Sequence, residues 1–362
     1  MARNKKEFRE ELTEQLLFLM ENDNLKWMKE WSSMTALPVN GLSGKKYSGI
    51  NRFKLILTMI QNNYSDPRFL TFNQVGRTRR QNSDEPCRIA SGSKGVQVEY
   101  WFLQDQKKAY GQKGKYVTFQ EAQKLISEGK RKPEDFILRA KYYTVFNGTQ
   151  IEGLPNYEDN RKRNLEVKRD SLIDRISTSM DVEIVYDKQD SCYYKPSEDK
   201  IYLPEPEFFT TQYAFVSTAL HELGHSTGAA HRLNRNLRNI FGTSEYAFEE
   251  LVAEMSSCMI SADIRQPGED DKEFWDHHLK NHAGYVRSWG ELLKDDPDTL
   301  PRALKLAEHA ADYLEMHGGI ITEEEYSRKH SPENARTLTV NRNNQVQQPE
   351  HNITENLEIS FA

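Results

Sequence analysis

Apolar residues at helical spacing open the chain: Phe8, Leu12, Leu16, Leu17 and Met20 share one face of residues 6–22 and predict an amphipathic helix. A loop bearing Trp27 and Trp31 and a turn-rich stretch from Pro38 to Gly49 separate it from a second helix, Ile50 to Ile60. The period then changes. Val96–Trp101, Tyr116–Thr118 and Lys141–Phe146 alternate as short strands, and the basic segment Lys107–Lys115 reads as a hairpin or an insertion. Beyond a Gly-, Pro- and Asn-bearing stretch, Glu152–Arg163, a helix running to about Met180 leads into a strand, Val182–Tyr186. A hairpin follows, Cys192–Tyr194 with Lys200–Leu203, turning on Pro196 to Asp199.

Two more helices carry apolar stripes: Phe215, Val216, Ala219, Leu220 and Leu223 in one, and Phe248, Leu251, Val252, Met255 and Met259 in Ser244–Ile260. Helical patterning continues to about His317. The stretch from Thr322, rich in Glu, Asn, Gln and Thr, reads as a disordered tail. No internal repeat is present. The pattern is α+β: a mixed α/β N-terminal domain over 1–152, a linker over 153–163, a second domain over 164–321 with a small antiparallel sheet, and the tail over 322–362. At 362 residues each domain is long enough for its own core.

Composition narrows the setting. No run of about 18 apolar residues exists and the N-terminus lacks a signal-peptide apolar region, so no membrane association is expected. Three cysteines in no CxxC pair point to a reducing compartment, and the expected location is cytoplasmic. The net charge of −6 hides a split: 26 Lys+Arg against 17 Asp+Glu through Pro155 give +9, and 23 against 38 beyond it give −15. The N-terminal half therefore suits a polyanion. Basic candidates are Lys45, Lys46, Arg52, Lys54, Arg77, Arg79, Arg80, Arg88 and Lys94, interleaved with Tyr47, Phe69, Phe72, Tyr100 and Trp101. A basic groove with aromatic faces is what single-stranded DNA requires. Individually, Trp27, Trp31, Phe72 and Trp101 read more naturally as core, and no helix-turn-helix or zinc-finger pattern supports duplex recognition.

The sharpest chemical signal is His221-Glu-Leu-Gly-His225. Histidines four apart on a helix share a face and can reach one ion, and the glutamate between them can act as general base on a water that zinc activates. Both histidines lie opposite the apolar stripe, among Ala214, Ser217, Gly224 and Gly228; the alternative is a solvated helix that happens to carry them. Gly224 costs a helix about 1 kcal/mol relative to alanine, so close approach of a second helix is expected there. Thr210 or Thr211 is a candidate cap, and Gly228 a stop.

Catalytic zinc takes three protein ligands and one open position. In the Ser244–Ile260 helix, Glu250 and Glu254 sit four apart among Ala247, Ala253 and Ser257, where a wet face would carry long charged side chains. Glu250 is read as the third ligand and Glu254 as a carboxylate orienting a histidine N–H, with the reverse assignment open. A sheet edge just before the motif helix would let an extended polypeptide add as a strand.

Longer stretches carry a family resemblance. Leu37-Pro-Val-Asn40, Gly44–Asn51, Asp66–Asn73, Tyr143–Asn147 and Gln150–Pro155 resemble the N-terminal domain of ArdC-type antirestriction proteins, a module shared with TraC-type primases. Asp199–Pro204, Leu220–Gly228, Glu249–Glu254 and Asn281–Trp289 continue the resemblance, which spans roughly residues 7–317. It implies a single-stranded-DNA-binding domain joined to a zincin-like metallopeptidase domain, carried by mobile elements and protecting their incoming DNA from host restriction. It assigns the metal to His221, His225 and Glu250 and the general base to Glu222. The lysine-rich insertion around 105–137 departs from the family pattern. His282 and Tyr285 are candidate donors to the oxyanion of a tetrahedral intermediate, with a packing role as the alternative. The protein substrate is unknown, with host restriction proteins or other DNA-bound proteins as candidates. The rival readings are a DNA-tethered protease acting on DNA-bound proteins or a repressor, and a DNA-coating protein that cuts nothing.

Overall fold

The apolar stripe of the first helix is buried in a core to which both halves of the chain contribute. The structure, a computed structural model, describes residues 5–23, 37–80, 84–107, 116–157, 169–187, 191–209, 211–237, 243–264, 288–296 and 298–330. Helix α1 (Lys5–Asp23) buries Phe8, Leu12 and Leu16 completely, and α2 (Gly49–Asn62) does the same with Phe53, Ile56 and Leu57. These residues, Phe8 excepted, join one cluster with Leu172, Ile176, Leu220, Leu251, Trp289 and Leu314. Helices α1 and α2 thus join the second half's core, while Leu55, Phe69, Val98 and Val145 form a cluster of the N-terminal half alone. Helices α1 and α2 present apolar faces that the N-terminal sheet alone does not cover.

The N-terminal strands are β1 (Val39–Asn40), β2 (Arg68–Thr71), β3 (Arg88–Ile89), β4 (Val96–Asp105), β5 (Tyr116–Val117), β6 (Phe136–Asn147) and β7 (Ile151–Glu152). Five form one sheet in the order β1-β2-β6-β4-β5, while β3 and β7 pair by themselves. Between them lie α3 (Phe72–Val75) and α4 (Phe119–Ser127). Strands β4 and β6 pair antiparallel from Val96 opposite Val145 to Asp105 opposite Phe136. The 105–137 insertion thus supplies α4, β5 and the start of β6, and packs Val117, Ala122 and Phe136 under Leu103. Residues 108–115 lie outside the described residues.

The second half runs α5 (Arg169–Met180), β8 (Glu183–Tyr186), β9 (Tyr193–Lys195), β10 (Lys200–Leu203), α6 (Gln212–Ser226), α7 (Ser244–Asp263), a helical segment over 288–295, α8 (Thr299–His317) and α9 (Glu323–His330). Its sheet has the order β8-β10-β9. It is mixed rather than antiparallel, because β10 pairs parallel with β8 and antiparallel with β9. Adjacent α5, β8 and β10 bury Ile173, Val182, Ile201 and Leu203 on one side.

Helix α9 corrects the expected tail. The Thr322 hydroxyl accepts from the Glu325 N–H at 3.1 Å while the Glu325 carboxylate accepts from the Thr322 N–H at 2.8 Å, a reciprocal cap. Glu323, Glu324 and Glu325 open the helix and Arg328, Lys329 and His330 close it, matching its dipole. Lys329 and His330 reach Asp312 on α8 at 2.8 and 2.7 Å. Residues 331–362 lie outside the described residues.

Charge also joins the two halves. Asp263, the last residue of α7, accepts from Lys46 and Arg52 at 2.8 Å each, and Glu308 accepts from the Gly49 N–H at 3.0 Å. Both basic residues hold the Asp263 carboxyl well below its usual range despite burial.

Candidate metal centre

Helix α6 begins at Thr211, whose hydroxyl accepts from the Ala214 N–H at 3.1 Å. It buries Phe215, Val216, Ala219, Leu220 and Leu223 against the core and turns His221 and His225 toward α7. The two helices touch at Gly224. A Cβ there would stand 2.7 Å from the Ser256 Oγ and 3.4 Å from the Ala253 Cα, so the missing side chain is what lets them approach.

That approach brings α7 carboxylates to both imidazoles. The Nε2 atoms of His221 and His225 are 3.1 Å apart, and each is 3.6 Å from a carboxylate oxygen of Glu250. Two ligands about 2.1 Å from a tetrahedral ion lie about 3.4 Å from each other. The observed separations fall on either side of that value. The donor chemistry fits a divalent cation of the zinc type: two neutral nitrogens and one carboxylate. Among the described residues this is the one such group of three, with ligand atoms all within 4.8 Å of one another.

The remaining ring nitrogens have partners too. His221 Nδ1 is 2.9 Å from Glu254, and His225 Nδ1 is 3.4 Å from Glu249. Arg235 in turn grips Glu249 with two bonds of 2.7 and 3.0 Å and reaches the Gly224 carbonyl at 2.8 Å. With both Nδ1 atoms facing other carboxylates, the two Nε2 atoms are left to converge on Glu250. Burial raises the Glu250 carboxyl, but the His221 and His225 imidazoles outweigh it and hold the group down at about 2. Desolvation likewise opposes a charged His221, yet Glu250 and Glu254 push its pKa well above the ordinary value. The centre favours positive charge.

Glu222 is buried, and its carboxylate accepts the Tyr194 N–H at 2.8 Å. Tyr194 lies on β9, one of the two edge strands of its sheet. A second clamp fixes that strand: Arg232 makes two 2.8 Å bonds to Asp199, which also accepts the Tyr194 hydroxyl at 2.7 Å. Arg232 also donates to the Ser226 carbonyl at the end of α6, at 2.9 Å.

Two family models match the chain: the N-terminal domain of anti-restriction factor ArdC over residues 6–146, and a zincin-like metallopeptidase over residues 171–305. The fold matches the metal-free crystal structure of the antirestriction ArdC protein from plasmid R388, with TM-score 0.62 and 25% identity over 87% of this chain and 99% of that one. The chain is an ArdC-type protein. The Mn(II)-bound structure of the R388 protein matches the ArdC-type chain with TM-score 0.61 and 26% identity, over the same 87% and 99%. The DNA primase TraC of Escherichia coli is 33% identical over 319 residues, which are 87% of this chain and 27% of the primase. The chain thus spans about a quarter of the length of that curated relative.

The structure distributes the nucleic-acid candidates unevenly. Lys45, Arg77, Arg79, Arg88 and Lys94 are exposed and Arg80 is half-buried, while Lys46 is exposed but paired with Asp263. Tyr47, Arg52 and Lys54 are 4%, 9% and 2% exposed, which corrects their reading as DNA contacts. Helix α2 is apolar nearly all round, so its charged residues are drawn inside and paired. Lys54 Nζ lies 4.2 Å from the Phe8 ring centroid and 3.4 Å from Glu11. Tyr47 packs edge-on to Phe69. Phe72, read as core, is 72% exposed instead. His282 and Tyr285 lie outside the described residues. Sequence reasoning missed Glu249, Arg235 and the Tyr194 N–H; the Glu-Glu pair at 249–250 was the available signal for the first.

No helix among the described residues is long and apolar enough to cross a membrane.

Proposed function

We propose that this ArdC-type protein is a zinc-dependent metallopeptidase tethered to single-stranded DNA, and that it protects the incoming DNA of a mobile element from host restriction. One observation carries the catalytic half: the Nε2 atoms of His221 and His225 and the Glu250 carboxylate converge within 3.6 Å while both Nδ1 atoms are held by other carboxylates. His221, His225 and Glu250 would hold the ion. When bound, zinc supplies the Lewis acidity that polarises a scissile carbonyl and makes water a competent nucleophile at neutral pH.

The chain's own residues do the rest. Glu222 takes the proton of the attacking water and delivers it to the leaving amine. Its hydrogen bond from the Tyr194 N–H, 2.8 Å, fixes the carboxylate beside the edge strand. An extended substrate lying along β9 would pass next to this base, and main-chain pairing at Tyr194 would have to take its N–H from Glu222. The N-terminal module, net +9 through Pro155, supplies the DNA tether. Tethering raises the local concentration of proteins bound to the same strand.

Purified protein reconstituted with zinc should cleave DNA-bound proteins, host restriction subunits among them, faster when single-stranded DNA is added. Cleavage indifferent to DNA would remove the tether from the mechanism. No cleavage of any protein, with protection in cells intact, would leave a DNA-coating role.

A further inference from the structure

The five-stranded sheet has two faces, and one of them ends in an aromatic and basic surface. On that face Val98 and Tyr143 are cross-strand partners, as are Tyr100 and Lys141, and Phe102 and Arg139. Leu55 and Met59 of α2 cover the end near Val98 and Val145. The other face takes α4 through Leu103, Val117 and Phe136. From Tyr100 outward the first face carries a ladder of rings. Tyr100 lies 6.3 Å from Tyr143 and stacks on Phe102 at 6.1 Å, and Phe102 meets Tyr116 edge-on at 4.7 Å. Lys141 Nζ sits 4.0 Å from the Tyr116 ring centroid and 4.9 Å from that of Phe102. Arg139 is exposed and donates to Gln104 at 3.3 Å.

Burial divides the rings by role. Phe102 is 6% exposed and forms a floor, whereas Tyr116 is 55% exposed on the edge strand β5. A large ring left in water beside a cation serves no core. It matches the needs of an unpaired base, which stacks on an aromatic face while its phosphate meets Lys or Arg. The surrounding half of the chain is basic, so a polyanion is the complementary occupant.

We propose that the outer end of β4, β5 and β6, with Tyr116 and Tyr100 as stacking faces and Lys141 and Arg139 as phosphate partners, is a binding platform for single-stranded DNA. This rests on the DNA-tethering half of the reading above and locates it on the sheet. Residues 116 and 117 of β5 and the start of β6, which belong to the 105–137 insertion, are then part of the DNA surface.

Anisotropy of a labelled oligothymidylate with the full-length protein tests it. Tyr116→Ala should weaken binding about tenfold, and Tyr116→Trp should bind at least as well as wild type. Lys141→Gln should lower the slope of log affinity against log salt by about 0.7. A duplex competitor should displace the oligonucleotide poorly, since its bases are already stacked. Wild-type affinity in Tyr116→Ala together with an unchanged salt slope in Lys141→Gln would overturn the platform and leave DNA binding elsewhere on the module. Failure of the wild-type protein to bind any single strand would overturn both.

Discussion

Glu222→Gln should lower the rate of zinc-dependent proteolysis by about 10²–10⁴-fold, the usual contribution of a positioned general base, while bound metal stays at the wild-type level. The separation of the two readouts follows from the geometry. Glu222 is not among the convergent ligands, which are His221, His225 and Glu250. Its carboxylate accepts the Tyr194 N–H at 2.8 Å, and a glutamine carbonyl can accept the same bond, so β9 stays in place. What the amide cannot do is take a proton. Initial rates on a cleaved protein, beside metal content from the same preparation, check the prediction. A Glu222→Gln protein that still protects DNA in restricting cells would detach peptide hydrolysis from the biological role and favour DNA coating.

Arg52→Met should destabilise the protein by about 3–5 kcal/mol, far more than it changes any DNA contact. Arg52 is 9% exposed, and its guanidinium bonds Asp263 at 2.8 Å between α2 and the end of α7. Removing the cation leaves Asp263 with the half-exposed Lys46 alone, beside the half-buried Glu308 and the buried Glu315. A lower denaturant midpoint at unchanged slope is the expected signature. The linkage has a definite sign. Asp263 is held below its unfolded value, so the stability it gives is present above about pH 4 and is lost as pH falls through the folded pKa. A variant as stable as wild type but weak on oligonucleotides would restore Arg52 to the DNA surface.

Arg52 also shows where the sequence could have been read further. Residues 53–59 are apolar on every side of the helix but for Lys54 and Thr58, which marks a buried helix whose charges must be paired. Thr322 followed by Glu325, with acids opening and bases closing the segment, was likewise a legible helix signature inside an apparently polar tail. The candidate metal site was the most legible part. His221 and His225 share a face by helical spacing alone, and Gly224 marked the close approach that α7 makes at Ser256. The sequence left Glu250 and Glu254 exchangeable, because both lie on the same helix face; their distances to Nε2 and Nδ1 distinguish them. Glu249 depends on Arg235, 14 residues earlier, a pairing that no local pattern specifies. The parallel pairing of β8 with β10 and the shared core of both halves are non-local in the same sense.

Metal content bears most directly on the central claim. After zinc reconstitution and removal of loosely held ions, mass spectrometry of wild type and Glu222→Gln should each give one zinc per chain, and Glu250→Ala should fall well below one. Equal zinc in Glu250→Ala and wild type, or none in reconstituted wild type, would contradict the convergence of His221, His225 and Glu250 on a single ion.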